Sequence, residues 1–256
     1  MGNRGSSSHA GGSRGGSRDF TAAKAFLKRA YGANHATAIM EIIQKAPREI
    51  QEMWAEYGSQ FHASKLRNGE DGAYYSSRTD SVHLNIDSVS TGDGIDTPYE
   101  VVFHEYGHMT DYLISRQMGY GRRSSYSQIF NNGELGKTAK REIEGHLTRI
   151  ARLHPELGDD REGIARALIQ EARSKYSLRD RANISDMMEG AGIGVAFPLG
   201  AGHGLNYWPL RDNGLEVFAE ITSAKAANPG SLAAIKDYFP KTYKVYETML
   251  KERKRK

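Results

Sequence analysis

The sequence predicts a mainly helical α+β protein in which a small β-hairpin packs on one central helix. Three observations support this class. Apolar residues recur at helical spacing through most of the 256-residue chain. One segment before residue 90 alternates between apolar and polar residues, as a half-buried strand does. The segment from residue 97 to residue 114 surrounds a short polar motif with apolar residues, which is typical of a buried helix.

The composition limits the classes of protein that the chain can represent. With 26% charged and 38% hydrophobic residues, it is an ordinary globular sequence that can bury a core. It lacks the run of about 20 apolar residues that a membrane span needs, and its first residues lack the apolar core of a secretion signal. There is no cysteine, which excludes disulfides and thiolate metal ligands. We therefore expect neither export nor a membrane partner.

The basic charge of the chain lies at its two ends. Residues 1–18 carry a charge of +3 and residues 251–256 carry +4, so that the body accounts for −3 of the net +4. Because the body of the chain has no patterned basic face, we expect no specific nucleic-acid partner. Residues 1–18 are rich in Gly, Ser and Arg and predict a flexible linker or tag. Residues 251–256 predict a basic tail.

Residues 19–250 form the predicted domain. Two or three helices lead up to about Tyr57, with breaks near Gly32 and Pro47. Two segments, Ala73–Ser76 and Ser81–Ile86, flank a turn and predict a hairpin whose edge strand is suited to bind an extended peptide. Residues 87–96 predict a loop.

A second group of helices follows the polar motif. Apolar faces within residues 137–181 predict an inserted helical hairpin, with a turn after His154. The segment Gly214–Ile221 predicts a further helix, capped by Asp212 or Asn213. The insertion either shapes a cleft or caps the fold, and the sequence supports both roles.

The polar motif is His-Glu-Tyr-Gly-His at residues 104–108. Thr97, Pro98 and Glu100 predict the start of its helix through an N-cap, a first-turn proline and a capping-box glutamate. Residues four apart lie on the same helix face, so His104 and His108 can bind one ion. In this H-E-x-x-H pattern two histidines bind zinc, and the glutamate between them, Glu105, acts as the general base on water.

A catalytic zinc site needs a third protein ligand. The downstream candidates are Asp186, Glu189, His203, Glu216 and Glu220. Glu216 and Glu220 lie four apart on a largely apolar helix, where a buried carboxylate must be paired or bound to a metal. We therefore choose Glu216 as the ligand. The chemistry implied is a zinc-dependent endopeptidase that acts on peptides or proteins.

Three more residues are candidates for supporting roles. Glu220 and Asp111 each lie one turn from a predicted ligand and are suited to accept a hydrogen bond from a ligand histidine, or else to form a salt bridge on the helix face. His203, in a Gly-rich loop, either donates to the oxyanion of the reaction or hydrogen-bonds to backbone.

The string H-E-Y-G-H-x-x-x-D, together with Glu216-Val-Phe-Ala-Glu220, resembles the gluzincin zinc metallopeptidases, among them the catalytic domain of anthrax lethal factor. The resemblance implies a zincin-like fold with the first glutamate of the second string as zinc ligand. It also implies that a tyrosine shortly upstream stabilises the oxyanion, and Tyr207 is the matching residue.

Further strings resemble metallopeptidase-like domains at the carboxyl end of phage minor capsid or head-morphogenesis proteins and of prophage-derived toxins. They are Ser185–Met188, Gly202–Gly204, Tyr207–Trp208 and Ile235–Pro240. This resemblance implies a cytoplasmic or virion-associated protein, with a capsid or a larger parent polypeptide as partner. It also raises an alternative function, a structural module of a phage head or toxin whose zinc site has little or no peptidase activity.

Overall fold

The structure, a computed structural model, describes residues 18–66, 72–92, 94–208 and 213–255. Within these residues, many helices and one small sheet confirm the mainly helical α+β class. The predicted linker lies outside the described residues except for Arg18. None of the helices in these ranges combines the length and the apolar character needed to cross a membrane.

The strands are β1 Ala63–Ser64, β2 Tyr74–Ser76 and β3 Ser81–His83. The helices, in chain order, are α1 Thr21–Tyr31, α2 Ala33–Lys45, α3 Arg48–Tyr57, α4 Ile86–Ser90, α5 Glu100–Gln117, α6 Tyr126–Ile129, α7 Glu134–Leu153, α8 Arg161–Lys175, α9 Leu178–Gly190, α10 Asn213–Ala227, α11 Pro229–Tyr238 and α12 Pro240–Glu252.

The first three helices form the back of the site and break where the sequence predicts. Gly32 separates α1 from α2 with a φ of +86°, a conformation that favours glycine. Aromatic side chains connect this layer to α5, and the ring of Trp54 lies 5.5 Å from the rings of both Phe103 and Tyr106. The buried apolar face of these helices therefore supports the helix that carries the polar motif.

The predicted hairpin is confirmed, although the sheet is not purely antiparallel. Strands β2 and β3 pair antiparallel, whereas β1 pairs parallel to β3 on its other side. Strand β1 has two residues, too few for an alternating pattern to predict it. The strand order β1-β3-β2 leaves β2 at an edge, and β2 contacts α5.

The helical hairpin predicted between residues 137 and 181 is confirmed as α7 and α8. The predicted loop at residues 87–96 begins with part of α4, and α9 follows α8 where no separate helix is predicted. At the carboxyl end, residues predicted as a basic tail instead continue α12, and Arg253 is buried beside Glu56 at 3.7 Å.

Helix α5 begins at Glu100, two residues later than the predicted start at Pro98. The glutamate half of the predicted capping box is nevertheless present, because Glu100 Oε2 accepts hydrogen bonds from Thr97 N at 2.8 Å and Thr97 Oγ1 at 2.9 Å. Tyr99, at the N-cap, has a φ of +64°, which turns the chain before the helix can start. The loop that follows α4 therefore extends to Tyr99, the residue before α5.

Candidate metal centre

Two histidines of α5 and one glutamate of α10 lie close together. The Nε2 atoms of His104 and His108 lie 3.1 Å apart. Glu216 Oε2 lies 3.5 Å from the first of these atoms and 3.2 Å from the second. The H-E-x-x-H pair and the predicted third ligand are therefore brought together from positions more than one hundred residues apart in the sequence.

Gly107 allows α10 to approach α5 closely enough for this arrangement. A Cβ atom on Gly107 would lie 3.1 Å from the Ala219 Cα atom and 3.3 Å from the Thr222 Cβ atom. Ala219 follows Glu216 by three residues, on the same side of α10. The glycine of the motif therefore sets the spacing between the helices that carry the three candidate ligands.

Glu216 Oε2 is buried and has no hydrogen-bond partner among the described residues. Both ring nitrogens are near it, and the three atoms face a common space. Burial raises the pKa of Glu216, but the charge of the adjacent histidines outweighs this effect and holds the pKa well below its usual range. Burial likewise lowers the pKa of His104, but the charge of Glu220 and the direct interactions with the Glu216 and Glu220 carboxylates raise it well above its usual value.

His104, His108 and Glu216 could therefore hold a metal ion. The fit can be tested by size, because bonds of about 2.0–2.2 Å in a tetrahedral site place neighbouring ligand atoms about 3.3–3.5 Å apart. The three separations of 3.1, 3.2 and 3.5 Å are close to that range. A buried carboxylate oxygen that has no hydrogen-bond donor supports the same interpretation.

Glu220, one turn after Glu216, lies behind His104. Its Oε1 atom is 3.4 Å from His104 Nδ1, and its Oε2 atom accepts from Asn183 Nδ2 at 2.6 Å. This is the position predicted for a residue that orients a ligand histidine. Asp111 accepts hydrogen bonds from the backbone N–H and the hydroxyl of Ser127. Its predicted role at a ligand histidine stays a prediction.

Glu105 lies between the two histidines in sequence and is buried. It shares a cavity with His104, and the backbone N–H of Tyr75 on β2 donates to its carboxylate. Burial, and to a lesser extent the charge of Glu216, raises the pKa of Glu105 despite the neighbouring histidines. Its carboxylate therefore has the high proton affinity that a general base requires.

The loop before α10 brings two further predicted residues to the same place. Tyr207 donates its hydroxyl proton to Glu216 Oε1 at 2.5 Å, and the ring of His203 stacks on the Tyr207 ring at 4.1 Å. His203 Nδ1 lies 2.8 Å from Asp186 Oδ1. Burial lowers the pKa of His203, but the bond to Asp186 outweighs it and the pKa rises to about 8. Both ring nitrogens then carry protons at neutral pH.

One buried carboxylate makes several of the hydrogen bonds that hold the loop, beside those of Ser185 to Leu199 N and Ala201 O. Glu189, near the end of α9, accepts from the backbone N–H groups of Phe197, His203 and Gly204 at 2.8–2.9 Å. It also accepts from Trp208 Nε1 at 3.1 Å. These bonds connect α9 to both ends of the segment that carries the two predicted oxyanion donors.

Comparisons of the chain with protein-family models, with curated proteins and with solved structures return no match. The resemblance to gluzincins and to phage-associated domains therefore stays a prediction.

The sequence predicts Glu189 and Asp186 only as alternative metal ligands. Glu189 instead anchors the loop. Asp186 pairs with His203, and these two residues and Glu216 form a second group that could hold a metal ion. A helical spacing of Ser185, Asp186 and Glu189, followed by a Gly-rich stretch, was the available signal. Asp212, predicted as one of two caps of α10, lies outside the described residues.

Proposed function

We propose that this protein is a zinc-dependent endopeptidase. The observation that carries the proposal is the triangle formed by His104 Nε2, His108 Nε2 and Glu216 Oε2, whose sides are close to those of a tetrahedral zinc site. Two imidazoles and one carboxylate are the ligand set of a catalytic rather than a structural zinc, because three protein ligands leave one position open. A zinc ion bound there supplies Lewis-acid chemistry, which activates water and polarises a peptide carbonyl.

The residues of the chain have distinct roles in the proposed reaction. Glu105 takes a proton from the attacking water while the water oxygen bonds to the scissile carbonyl carbon. The same carboxyl then gives that proton to the leaving amine nitrogen as the carbon–nitrogen bond breaks. Protonated His203 donates a hydrogen bond to the oxyanion of the tetrahedral species, and Tyr207 does so once its hydroxyl proton turns away from Glu216 Oε1. Asp186 positions the His203 ring through its bond to Nδ1.

The position of the edge strand β2 favours an extended peptide as the substrate. Its Tyr75 N–H reaches Glu105, so this strand lies beside the proposed general base. A peptide that adds to an edge strand gains backbone hydrogen bonds that do not depend on its sequence. The proposal therefore includes an extended segment of a protein as substrate.

The test compares the wild-type protein with Glu105→Gln, using zinc content and casein cleavage with and without a chelator. We expect Glu105→Gln to retain zinc while the cleavage rate falls by about 10²–10⁴-fold, the usual contribution of a general base. A variant that cuts at the wild-type rate would exclude this role for Glu105. A wild-type protein that holds zinc but cleaves neither casein nor its own chain would instead favour the structural module.

A further inference from the structure

A cavity of about 230 Å³ adjoins the candidate metal centre between α5, α9 and the loop at residues 201–203. It is smaller than the roughly 300–1,000 Å³ of cavities that bind drug-sized ligands, so it suits one side chain or one chain end. Five acidic residues line it, together with the histidines His104 and His203, and no lysine or arginine of the described residues is in the lining. The acidic residues are Asp96, Glu100, Glu105, Asp186 and Glu220.

Two buried carboxylate oxygens at this cavity have no hydrogen-bond partner within the described part of the chain. They are Glu100 Oε1 and Asp186 Oδ2, on side chains whose residues are 2% and 3% exposed. The other oxygen of each group is bonded, that of Glu100 to Thr97 and that of Asp186 to His203. A buried acceptor without a donor is unfavourable, so these two oxygens indicate that a ligand with N–H donors belongs in the cavity.

The arrangement of the acceptors indicates an organic cation rather than a metal ion at Glu100. A metal ion needs ligand atoms that converge on one point, and Glu100 belongs to neither group of described residues that does so. A guanidinium group carries five N–H donors and an ammonium group carries three, directed outward from the charge. Such a group can bond to separate carboxylates on different sides of a cavity.

The cavity lies near the place where the scissile peptide bond would be bound. Glu100, His104 and His108 are spaced four residues apart and lie along one face of α5. Glu100 is therefore about one helical turn, or about 6 Å along the helix axis, from the first histidine. Because an extended peptide advances about 3.4 Å per residue, a cation at Glu100 belongs to a residue within about two positions of the scissile bond.

We propose that this cavity binds a guanidinium or ammonium group of the substrate, so that the enzyme cleaves beside a basic residue or close to a free amino terminus. The proposal rests on the proposed peptidase function and specifies the substrate class of the same site. A basic side chain and a free amino terminus both supply a cation with several N–H donors. Different probes distinguish between them.

The first experiment measures binding to the intact zinc-loaded protein by calorimetry. N-acetyl-arginine methylamide carries only a side-chain cation, alanine methylamide carries only an α-ammonium, and N-acetyl-citrulline methylamide is the neutral counterpart of the arginine probe. We expect one of the two cationic probes to bind at least about 10-fold more tightly than the citrulline probe, as is typical of buried charge pairing. Equal binding of the citrulline and cationic probes, or no binding of any probe, would overturn the proposal.

The matched variants are Glu100→Gln and Glu162→Gln. Glutamine can keep its oxygen toward Thr97 while placing an N–H₂ group where the unpartnered oxygen lies, so cation binding should fall at least 10-fold. Glu162 pairs with Arg166 on the exposed side of α8, and its variant should bind as the wild type does. If Glu100→Gln does not fold, the ratio of kcat/KM for arginine and citrulline peptides, measured on the wild type, decides instead.

The outcomes separate this proposal from the peptidase proposal. A protein that binds a cationic probe through Glu100 but cleaves no peptide supports the pocket and contradicts the peptidase function. A protein that cleaves arginine and citrulline peptides equally well retains the peptidase function and contradicts the pocket.

Discussion

The candidate site has two halves that are built in different ways. The metal-binding half consists of side chains on two long helices, α5 and α10, which are in close contact at Gly107. The oxyanion half, with His203 and Tyr207, lies on the loop between α9 and α10 and is held by the carboxylate of Glu189. Backbone packing fixes one half, and a few hydrogen bonds fix the other.

This difference has a consequence for function. Packed helices are hard to deform, because neither can move without opening a void, so the spacing of His104, His108 and Glu216 tolerates little change. A loop held by side-chain hydrogen bonds, several of them to one buried carboxylate, can shift if that carboxylate is altered. The two halves should therefore fail separately, one through loss of metal and the other through loss of rate with metal retained.

The largest effect is expected from removal of a metal ligand. Glu216→Ala leaves two histidines and should lower zinc affinity by more than the 10–100-fold that follows loss of an outer hydrogen-bond partner. Glu220→Gln, which changes only the group behind His104, should lower affinity within that 10–100-fold range. Zinc content after dialysis against a graded series of chelator concentrations measures both. Equal losses in the two variants would contradict the assignment of Glu216 as ligand.

Glu189→Gln should affect the loop half alone. The amide nitrogen of glutamine cannot accept, so at least one of the N–H groups of Phe197, His203 and Gly204 loses its partner. A misplacement of about 1 Å costs a rate factor of about 100, so kcat/KM should fall by that order while zinc is retained. The control is Glu144→Gln, which changes an exposed pair with Arg161. Loss of zinc in Glu189→Gln would show that the halves are not independent.

Much of the helix half can be predicted from the sequence because its signals are local. Apolar residues at helical spacing predict α1 to α3, α7, α8 and α10, and four-residue spacing places two ligands on one face of α5. The choice of Glu216 rests on a carboxylate in an apolar helix, and the structure brings it to the two histidines. The reason is the same in each case, because the apolar face of each helix packs against the buried core and its spacing is therefore visible in the sequence.

His203 and Tyr207 are predicted from the sequence, but the contacts that hold their loop could not be predicted because they have no periodic pattern. Glu189 bonds to backbone N–H groups, which every non-proline residue carries, so no residue type marks its partners. The start of α5 was placed two residues too early because the left-handed turn at Tyr99 has no glycine to signal it. Strand β1, with two residues, depends on pairing with β3 and not on its own sequence.

A smaller effect is expected when the helix packing itself is changed. Gly107→Ala places a methyl group 3.1 Å from Ala219 Cα, and such overpacking costs about 1–3 kcal/mol. Alanine favours the helix by up to about 1 kcal/mol, so we expect a net destabilisation of about 1 kcal/mol in urea unfolding and weaker zinc binding. Gly145→Ala on α7 is the matched control, because a Cβ there meets nothing within 4 Å. The control should be stabilised, and a shared sign of the two changes would contradict the packing argument.

The smallest effect is expected at the hairpin, which polar contacts also hold to α5. Arg116 donates to both carboxylate oxygens of Asp80 at 2.5 and 2.8 Å, and Tyr75 donates its hydroxyl proton to the same group. Burial raises the pKa of Asp80, but these bonds outweigh it and lower the pKa below the ordinary 3.8. The stabilisation is therefore present above about pH 4 and is lost as the pH falls through the lowered pKa.

Asp80→Asn should thus lower the free energy of unfolding at pH 7 by no more than about 1 kcal/mol, since the pair is partly exposed. The difference from the wild type should shrink as the pH falls below about 4, where the wild-type carboxyl also becomes neutral. Urea midpoints at pH 7 and pH 3 measure this, with Asp159→Asn on the turn between α7 and α8 as the control. A difference that stays constant between the two pH values would show that Asp80 acts through its shape rather than its charge. The backbone N–H of Tyr75 also donates to Glu105. If Asp80→Asn lowers kcat/KM under conditions where the variant is fully folded, the hairpin therefore helps to position Glu105.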